Sequence, residues 1–210
     1  GFHRTESEFE NKDAILETHV GGRLEYVSSA LRIGATGFAS RYGGDFQRKL
    51  SFYNQFEFAD NRNFVAGVDY NYVFRNVNFF GEFSRSQNGG IAYVNGVLVS
   101  LDARLSFTLL HRNYGPDYQN LLSNGLAESS NSWNEKGIFM GFDANLTKSF
   151  TLTGSMDFFT FPWMRFQAYA PNSGGTEFIT QLQYRKSRNF VAYFRYRKQA
   201  REVNNSQVES

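Results

Sequence analysis

Histidine has the widest catalytic repertoire of any residue type, and this chain contains three, at His3, His19 and His111. They lie far apart in sequence, and no pair has the HxxxH spacing of a metal site. The chain has no cysteine, which excludes disulfides, thiol catalysis and the common structural zinc sites. We therefore predict neither a metal nor a cofactor.

A hydrolase site would need a nucleophile and an acid beside one of these histidines. The best such set is His111 with Asp117 and one of Ser129, Ser130 or Ser132. No GxSxG motif or phosphate-binding glycine loop accompanies it. A hydrolase is therefore the weakest functional alternative, and we expect His111 to anchor the start of a long loop.

Charged side chains form a second constellation, because they alternate with apolar residues along the chain. We expect one polar surface to carry Arg23, Glu25, Asp69, Glu82, Arg104, Asp143, Asp157, Arg185, Arg195 and Arg197. Polar interiors of membrane barrels either line a water-filled pore or fill the lumen with paired charges. Both possibilities stay open from the sequence.

Aromatic side chains in the connections could stack a sugar or a peptide, or pack the connections on themselves. They are Tyr42, Phe46, Tyr53, Tyr118, Trp133 and Trp163. We favour packing.

The elements that must position these residues show alternation with a period of two, which is typical of β-strands. Between Phe64 and Phe74 the even positions are apolar, and after Arg75-Asn76 the apolar parity switches, as a hairpin requires. Similar runs predict a lipid-facing set that includes Phe64, Val68, Leu105, Phe107, Phe142, Leu152, Leu182 and Phe194. About ten strands follow, mostly longer than the five or six residues usual in soluble sheets and close to the ~9–11 that cross a bilayer at a tilt.

The connections alternate in length, which is typical of outer-membrane barrels with short periplasmic turns and long extracellular loops. Short turns are expected near 28–29, 75–76, 101–102, 147–149 and 186–188, and the long loops at about 41–62, 112–136 and 162–175. Aromatic residues such as Tyr72, Phe150 and Tyr184 lie next to the turns, where amphipathic rings meet headgroups. A soluble β-sandwich also alternates, but its strands are shorter.

Composition agrees with this interpretation. Aromatic residues make up 18% of the chain, with 23 Phe, which argues against disorder. No run of about 18 apolar residues predicts a transmembrane helix. The formal net charge of +2 gives no field for nucleic acid. The predicted fold class is an all-β, antiparallel transmembrane outer-membrane β-barrel. We expect residues 1–210 to form a single barrel segment that is incomplete at one or both ends, because the polar tail from Gln199 to Ser210 resembles the start of another loop.

Several segments resemble outer-membrane barrel proteins of Bacteroidota that are labelled as helix-hairpin-helix domain-containing. The resemblance spans essentially the whole chain and is carried by residues 1–6 (GFHRTE), 79–82 (FFGE), 88–90 (NGG), 110–115 (LHRNYG) and 161–165 (FPWMR). It implies the barrel portion of such a protein, in the outer membrane of a Gram-negative bacterium. No helix-hairpin-helix motif is present in this chain, so DNA binding is not carried over.

The leading functional hypothesis is a non-enzymatic, porin-like membrane protein that acts as a conduit or docking platform in the cell envelope. The alternative from another class is a sealed structural or interaction barrel in a secretion or surface-assembly complex. Expected partners are outer-membrane lipid and other envelope or secretion-complex proteins, with no nucleic acid. The sequence does not specify the transported or bound ligand.

Overall fold

The computed structural model describes residues 15–44, 46, 49, 51–129 and 132–204. His3, Ser130 and the segment 1–6 therefore lie outside the described residues. Among the residues described, no helix is long and apolar enough to cross a membrane.

Ten β-strands account for the regular structure, and their bounds follow the alternation in the sequence. They are β1 (Glu17–Val27), β2 (Leu31–Tyr42), β3 (Arg62–Phe74), β4 (Val77–Ser86), β5 (Ile91–Asp102), β6 (Leu105–Tyr114), β7 (Glu135–Asn145), β8 (Phe150–Phe161), β9 (Ser173–Ser187) and β10 (Phe190–Arg201). Each strand pairs antiparallel with the next in one sheet of order β1 to β10. The predicted all-β fold class and the number of strands are confirmed.

The register staggers the strands steadily in one direction. A single row across the sheet passes through Glu25, Gly34, Asp69, Glu82, Val94, Arg112, Gly137, Phe159, Gly175 and Arg201. On β1 this row lies two residues (25 to 27) from the turn, and on β10 eleven residues (190 to 201) from it. At ~3.3 Å per residue and ~4.8 Å between strands, a stagger of about one residue per pair corresponds to a tilt of about 35°.

Short turns lie at one end of the sheet, the turn rim, and longer connections lie at the other, the loop rim. The turns cover 28–30, 75–76, 103–104, 146–149 and 188–189, and the loops cover 43–61, 87–90, 115–134 and 162–172. Several expected bounds need correction, among them the loop expected at 162–175, which ends at 172 because β9 begins at Ser173. The third turn follows Asp102 instead of including it, and the loop expected at 112–136 is shorter because β6 continues to Tyr114 and β7 begins at Glu135.

Strand alternation separates the side chains into two faces of unlike chemistry. The apolar face contains large exposed hydrophobic side chains, such as Phe64, Phe107 and Leu182. Nothing among the described residues covers this face. The polar face contains hydroxyls, amides and charges, and it includes the two most deeply buried side chains, Arg112 and Glu135.

Three large rings show how the apolar face is built. The Phe142 ring lies over Gly154, its partner on β8, where an added Cβ would sit 2.4 Å from the ring. Near the turn rim, the rings of Phe150 and Tyr184 lie 4.8 Å apart on paired positions of β8 and β9. Aromatic cross-strand contacts of this kind fix the register of a sheet.

Candidate functional site

The polar face brings together most of the charged residues that the sequence predicts on one polar surface. Cross-strand pairs and shared parity place on it Asp69, Glu82, Asp143, Asp157, Arg185, Arg195 and Arg197. The prediction for Arg104 was wrong, because this residue lies in the β5–β6 turn. Its side chain is 71% exposed and pairs with Asp102 at 3.6 Å.

Arg112 is the centre of a buried ion cluster on this face. Its Nη1 and Nη2 donate to the two carboxylate oxygens of Asp157 at 2.8 and 3.0 Å, and its Nε donates to Glu135 Oε1 at 2.7 Å. The side chains of Arg112 and Glu135 are fully buried, and that of Asp157 is 13% exposed. One guanidinium therefore joins β6, β7 and β8 through the bidentate geometry that suits arginine.

Gly137 makes room for this cluster. It is the β7 partner of Arg112, and a Cβ at Gly137 would lie 2.5 Å from Arg112 Cζ. Because the guanidinium lies flat over the glycine, it can reach Asp157 on the next strand. Small residues under large ones are a common device for close packing on a curved sheet.

Glu135 also holds the β6–β7 loop. Its carboxylate accepts hydrogen bonds from the backbone N–H of Glu128 at 2.9 and 3.0 Å and of Ser129 at 3.4 Å. Glu128 in turn binds β10, accepting from Gln199 Nε2 at 2.6 Å and pairing with Arg201. A continuous polar network therefore extends from Asp157 through the loop to β10.

The rest of the β6–β7 loop lies across the polar face. The Tyr118 hydroxyl bonds Ser84 Oγ at 2.9 Å, the Gln119 N–H donates to Ser86 Oγ, and the Tyr114 hydroxyl donates to the Leu126 carbonyl. Beneath the loop is a cavity of about 290 Å³ lined by Glu82, Tyr93, Asn120, Asn124 and Ser132 among others. The loop thus narrows the space above the polar face instead of extending away from it.

A second ion cluster lies near the turn rim. Arg23 reaches across β2 to donate to Asp69, with 2.5 and 2.9 Å distances to the two oxygens, and it also bonds Glu25 at 2.9 Å. Gly34 lies under this guanidinium, as Gly137 lies under Arg112. An adjoining hollow of about 430 Å³ is lined by Arg23, Asp69 and Glu82.

Charges on the polar face of the ten strands are nearly balanced. The seven cations are Arg23, Arg32, Arg112, Arg185, Arg195, Arg197 and Arg201, and the eight carboxylates are Glu17, Glu25, Asp69, Glu82, Glu135, Asp143, Asp157 and Glu177. Many are paired with each other, as Arg197 is with Glu177. Neither sign of charge dominates the field above this face.

The loop aromatics pack on one another at the loop rim. Tyr42, which ends β2 and does not lie in the loop as expected, forms one group with Phe46 and Phe58, and Trp163 contacts Phe56 with ring centroids 5.3 Å apart. Trp163 Nε1 also donates to the Phe52 carbonyl at 2.7 Å. These contacts join the β2–β3 loop to the β8–β9 loop, although five ladder steps separate β3 from β8.

Arg165 of the β8–β9 loop has an unusual environment. Its guanidinium lies 3.7 Å from the centroid of the Phe161 ring, a cation–π contact. Burial lowers the pKa of Arg165 below its ordinary value, an effect that the nearby Glu135 carboxylate opposes.

The structure separates the residues of the hydrolase hypothesis. His111 projects from the apolar face of β6 and lies beside Tyr93, whereas Ser132 belongs to the loop over the polar face and accepts from the Gly125 N–H. The described part of the chain contains no group of His, Cys, Asp or Glu residues that could hold a metal ion. His111 therefore does not act as a general base for Ser132 in this arrangement.

All eight residues expected on the lipid side share the apolar face. One row contains Leu105, Ala144, Leu152, Leu182 and Phe194, and the next contains Phe107 and Phe142. Phe64 and Val68 lie on the same face of β3, where Val68 pairs with Phe83. Contact of this face with lipid remains a prediction.

Comparison with solved structures shows a weak similarity to a porin. The chain resembles a KdgM porin with a TM-score of 0.39 and 10% sequence identity, over 88% of this chain and 91% of that chain. No family model matches the sequence. No curated protein matches it either.

Proposed function

We propose that this chain forms the wall of an outer-membrane β-barrel that acts as a conduit for small polar solutes. The observation that carries the proposal is the separation of the two faces, with uncovered hydrophobic side chains on one and ion clusters on the other. Monomeric soluble proteins rarely expose a continuous apolar surface of this extent. Lipid contact would account for it.

Strand geometry supports the same proposal. Membrane barrels tilt their strands by about 35–45°, and the stagger of this sheet corresponds to a tilt at the lower end of that range. Strands of 10 to 15 residues are long enough to cross the hydrocarbon at such a tilt. The alternation of short turns and long loops agrees as well.

The lumen of the proposed conduit would be the space over the polar face, narrowed by the β6–β7 loop. Its mixed charges predict weak selectivity between anions and cations, because selectivity needs an excess of one sign along the path. Solute size would be limited by the loop that Glu135 holds in place.

Closing the wall requires partners for β1 and β10, which pair only with β2 and β9 in the described structure. An unpaired strand edge is costly in hydrocarbon, where no water satisfies the backbone. We propose that further strands provide these partners, as the sequence led us to expect.

A sealed structural barrel is the second candidate, and one observation favours it. The β6–β7 loop and the contacts between loops cover part of the polar face and bury Arg112 completely. A barrel closed in this way would serve as an interaction platform for envelope proteins and would not conduct.

Single-channel recording distinguishes the two candidates. The protein, with the further strands proposed to complete the wall, would be refolded into lipid vesicles and fused with a planar bilayer, with Leu182→Arg as a control that should not insert. Discrete conductance steps that are absent for the control would support the conduit. Stable insertion without conductance would favour the sealed barrel, and failure to insert would contradict both.

A further inference from the structure

The apolar face contains a set of cations that the proposed conduit does not use. Apart from Asp102, which pairs with Leu105 beside the turn rim, the charged side chains on this face of the ten strands are all cations. They are Arg41, Arg62, Arg85, Lys136, Lys186 and Lys198. By contrast, the polar face has nearly equal numbers of cations and carboxylates.

Five of these six side chains lie near the loop rim, and we call them the rim cations: Arg41, Arg62, Arg85, Lys136 and Lys198. Each lies between eight and twelve residues from the turn-rim end of its strand. Below them, toward the turns, the face is almost entirely apolar. In a barrel that spans a membrane, residues at this distance from the turn rim would lie at the boundary between the hydrocarbon and the headgroups.

The rim cations have no partner of their own among the described residues. All five are exposed, and none of their side chains makes a hydrogen bond or ion pair with another described residue. Arg41 and Arg62 lie directly opposite each other on β2 and β3. Like charges at directly opposed positions destabilise a sheet, and an anion between them would reverse that effect.

We infer that the rim cations form a binding site for the phosphate groups of anionic lipids in the leaflet at the loop rim. The inference rests on the proposed membrane-spanning wall, because only a lipid would contact the apolar face and the rim cations together. Arginine matches phosphate with a bidentate fork, and lysine binds it as a point charge. Because Asp102 lies at the turn rim, no acidic side chain of the ten strands competes with phosphate for the rim cations on this face.

The turn rim offers a matched control. It also has cations, at Arg75, Arg104, Lys148 and Arg188, but these lie in the turns and not on the apolar face. Arg104 already pairs with Asp102. Neutralising the turn set removes similar charge from the opposite end of the sheet.

The experiment compares the full chain with two variants in micelles of zwitterionic detergent. The loop-rim variant carries Arg41→Gln, Arg62→Gln, Arg85→Gln, Lys136→Gln and Lys198→Gln, and the turn-rim variant carries Arg75→Gln, Arg104→Gln, Lys148→Gln and Arg188→Gln. Retention of lipid A, phosphatidylglycerol and phosphatidylcholine is measured by native mass spectrometry. Inorganic phosphate is added as a competitor to separate a lipid site from a site for free phosphate.

The parent chain should retain the two anionic lipids in preference to phosphatidylcholine. Near a membrane surface each cation contributes roughly fivefold to the binding of an anionic lipid, so the loop-rim variant should lose at least tenfold. The turn-rim variant should bind as the parent does. Displacement of lipid A by inorganic phosphate would overturn a lipid site, as would equal binding by the two variants.

Folding is measured separately in vesicles of phosphatidylcholine alone, so that a failure of membrane insertion can be distinguished from a failure to bind anionic lipid. A chain that inserts there but shows no preference for anionic lipid contradicts only the inference about the rim cations. A chain that does not insert contradicts the membrane wall and the lipid site with it. If the loop-rim variant with its five substitutions misfolds, the double variant Arg41→Gln with Arg62→Gln tests the directly opposed pair alone. The double variant Arg41→Lys with Arg62→Lys keeps both charges and should bind anionic lipid as the parent does.

Discussion

Arg112 and Asp157 lie 45 residues apart in sequence and meet through two parallel hydrogen bonds of 2.8 and 3.0 Å on the polar face. They belong to β6 and β8, so the guanidinium spans the intervening strand over Gly137. The same guanidinium binds Glu135, which holds the β6–β7 loop. The position of the β6–β7 loop therefore depends on a contact between two strands, β6 and β8, that are not adjacent in the sheet.

The substitution Asp157→Asn should weaken the ion cluster around Arg112 and loosen the β6–β7 loop. The change leaves a fully buried guanidinium with one carboxylate instead of two, and breaking a buried pair costs about 3 kcal/mol, at the lower end of the usual range because Glu135 remains. We expect a lower unfolding temperature and faster protease cleavage within 115–134. Asp143→Asn is the control, since Asp143 lies on the same face without an ion pair to any described residue. Equal effects of the two changes would contradict this role for Arg112.

Leu182→Arg and Gln183→Arg should differ sharply, although they are neighbours on β9. Leu182 lies on the apolar face in a row with Leu152 and Phe194, where arginine in hydrocarbon costs about 2–4 kcal/mol. Gln183 lies on the polar face beside Thr151, so its replacement should be nearly neutral. Refolding yield into liposomes measures the difference. Gln181 would be a poorer control, because it accepts a hydrogen bond from Arg195 Nε at 2.8 Å.

Gly137→Ala should destabilise the sheet more than Gly37→Ala. The new methyl at Gly137 would lie 2.5 Å from Arg112 Cζ, whereas at Gly37 the nearest atoms would be ring carbons of Phe64 at 3.7 Å. Overpacking of this kind costs about 1–3 kcal/mol, and here the displaced group is a buried charge. Thermal unfolding followed by gel mobility provides the measurement. A Gly137→Ala protein as stable as the parent would mean that Arg112 can move without loss.

Cysteine pairs can test whether β1 and β10 are neighbours, because the natural chain has no cysteine. Gly22→Cys with Gly37→Cys should form a disulfide on oxidation, since these residues are directly paired on β1 and β2 and the spacing suits a disulfide. Gly22→Cys combined with cysteine at Ala192, Phe194 or Tyr196 should form none if further strands lie between the edges. Efficient oxidation of any of those pairs would contradict our proposal of additional strands.

The alternation of side chains predicted most of the fold, because period-two patterning specifies both the strand and its two faces. From Phe64 to Phe74 the pattern runs without interruption, and the switch at Arg75-Asn76 coincides with the observed turn. Phe52 to Phe58 was expected to be loop and contains no strand. Arg104 was misplaced because the third turn lies two residues later than expected.

The ion cluster was not predicted, although Asp157 was expected on the polar face. The segment 112–136 was interpreted as loop because His111 and Asn113 are polar and interrupt the apolar pattern of β6. The even positions of β6 indicate a longer strand, because Leu110, Arg112 and Tyr114 continue the alternation to the end of β6. The pairing of Arg112 with Asp157 depends on register across β7, which the alternation alone does not determine.

The order in which the strands are made has a consequence for this cluster. Every ladder joins strands that are consecutive in sequence, so hairpins can form one after another with little loss of chain entropy. The ion network on the polar face also joins elements that are not consecutive. Arg112 of β6 pairs with Asp157 of β8, and Glu128 of the β6–β7 loop pairs with Arg201 of β10. The bonds of the β6–β7 loop to β4 and β7 can form earlier, whereas its link to β10 forms only after the last hairpin has joined, so the space over the polar face closes completely only at the end of assembly.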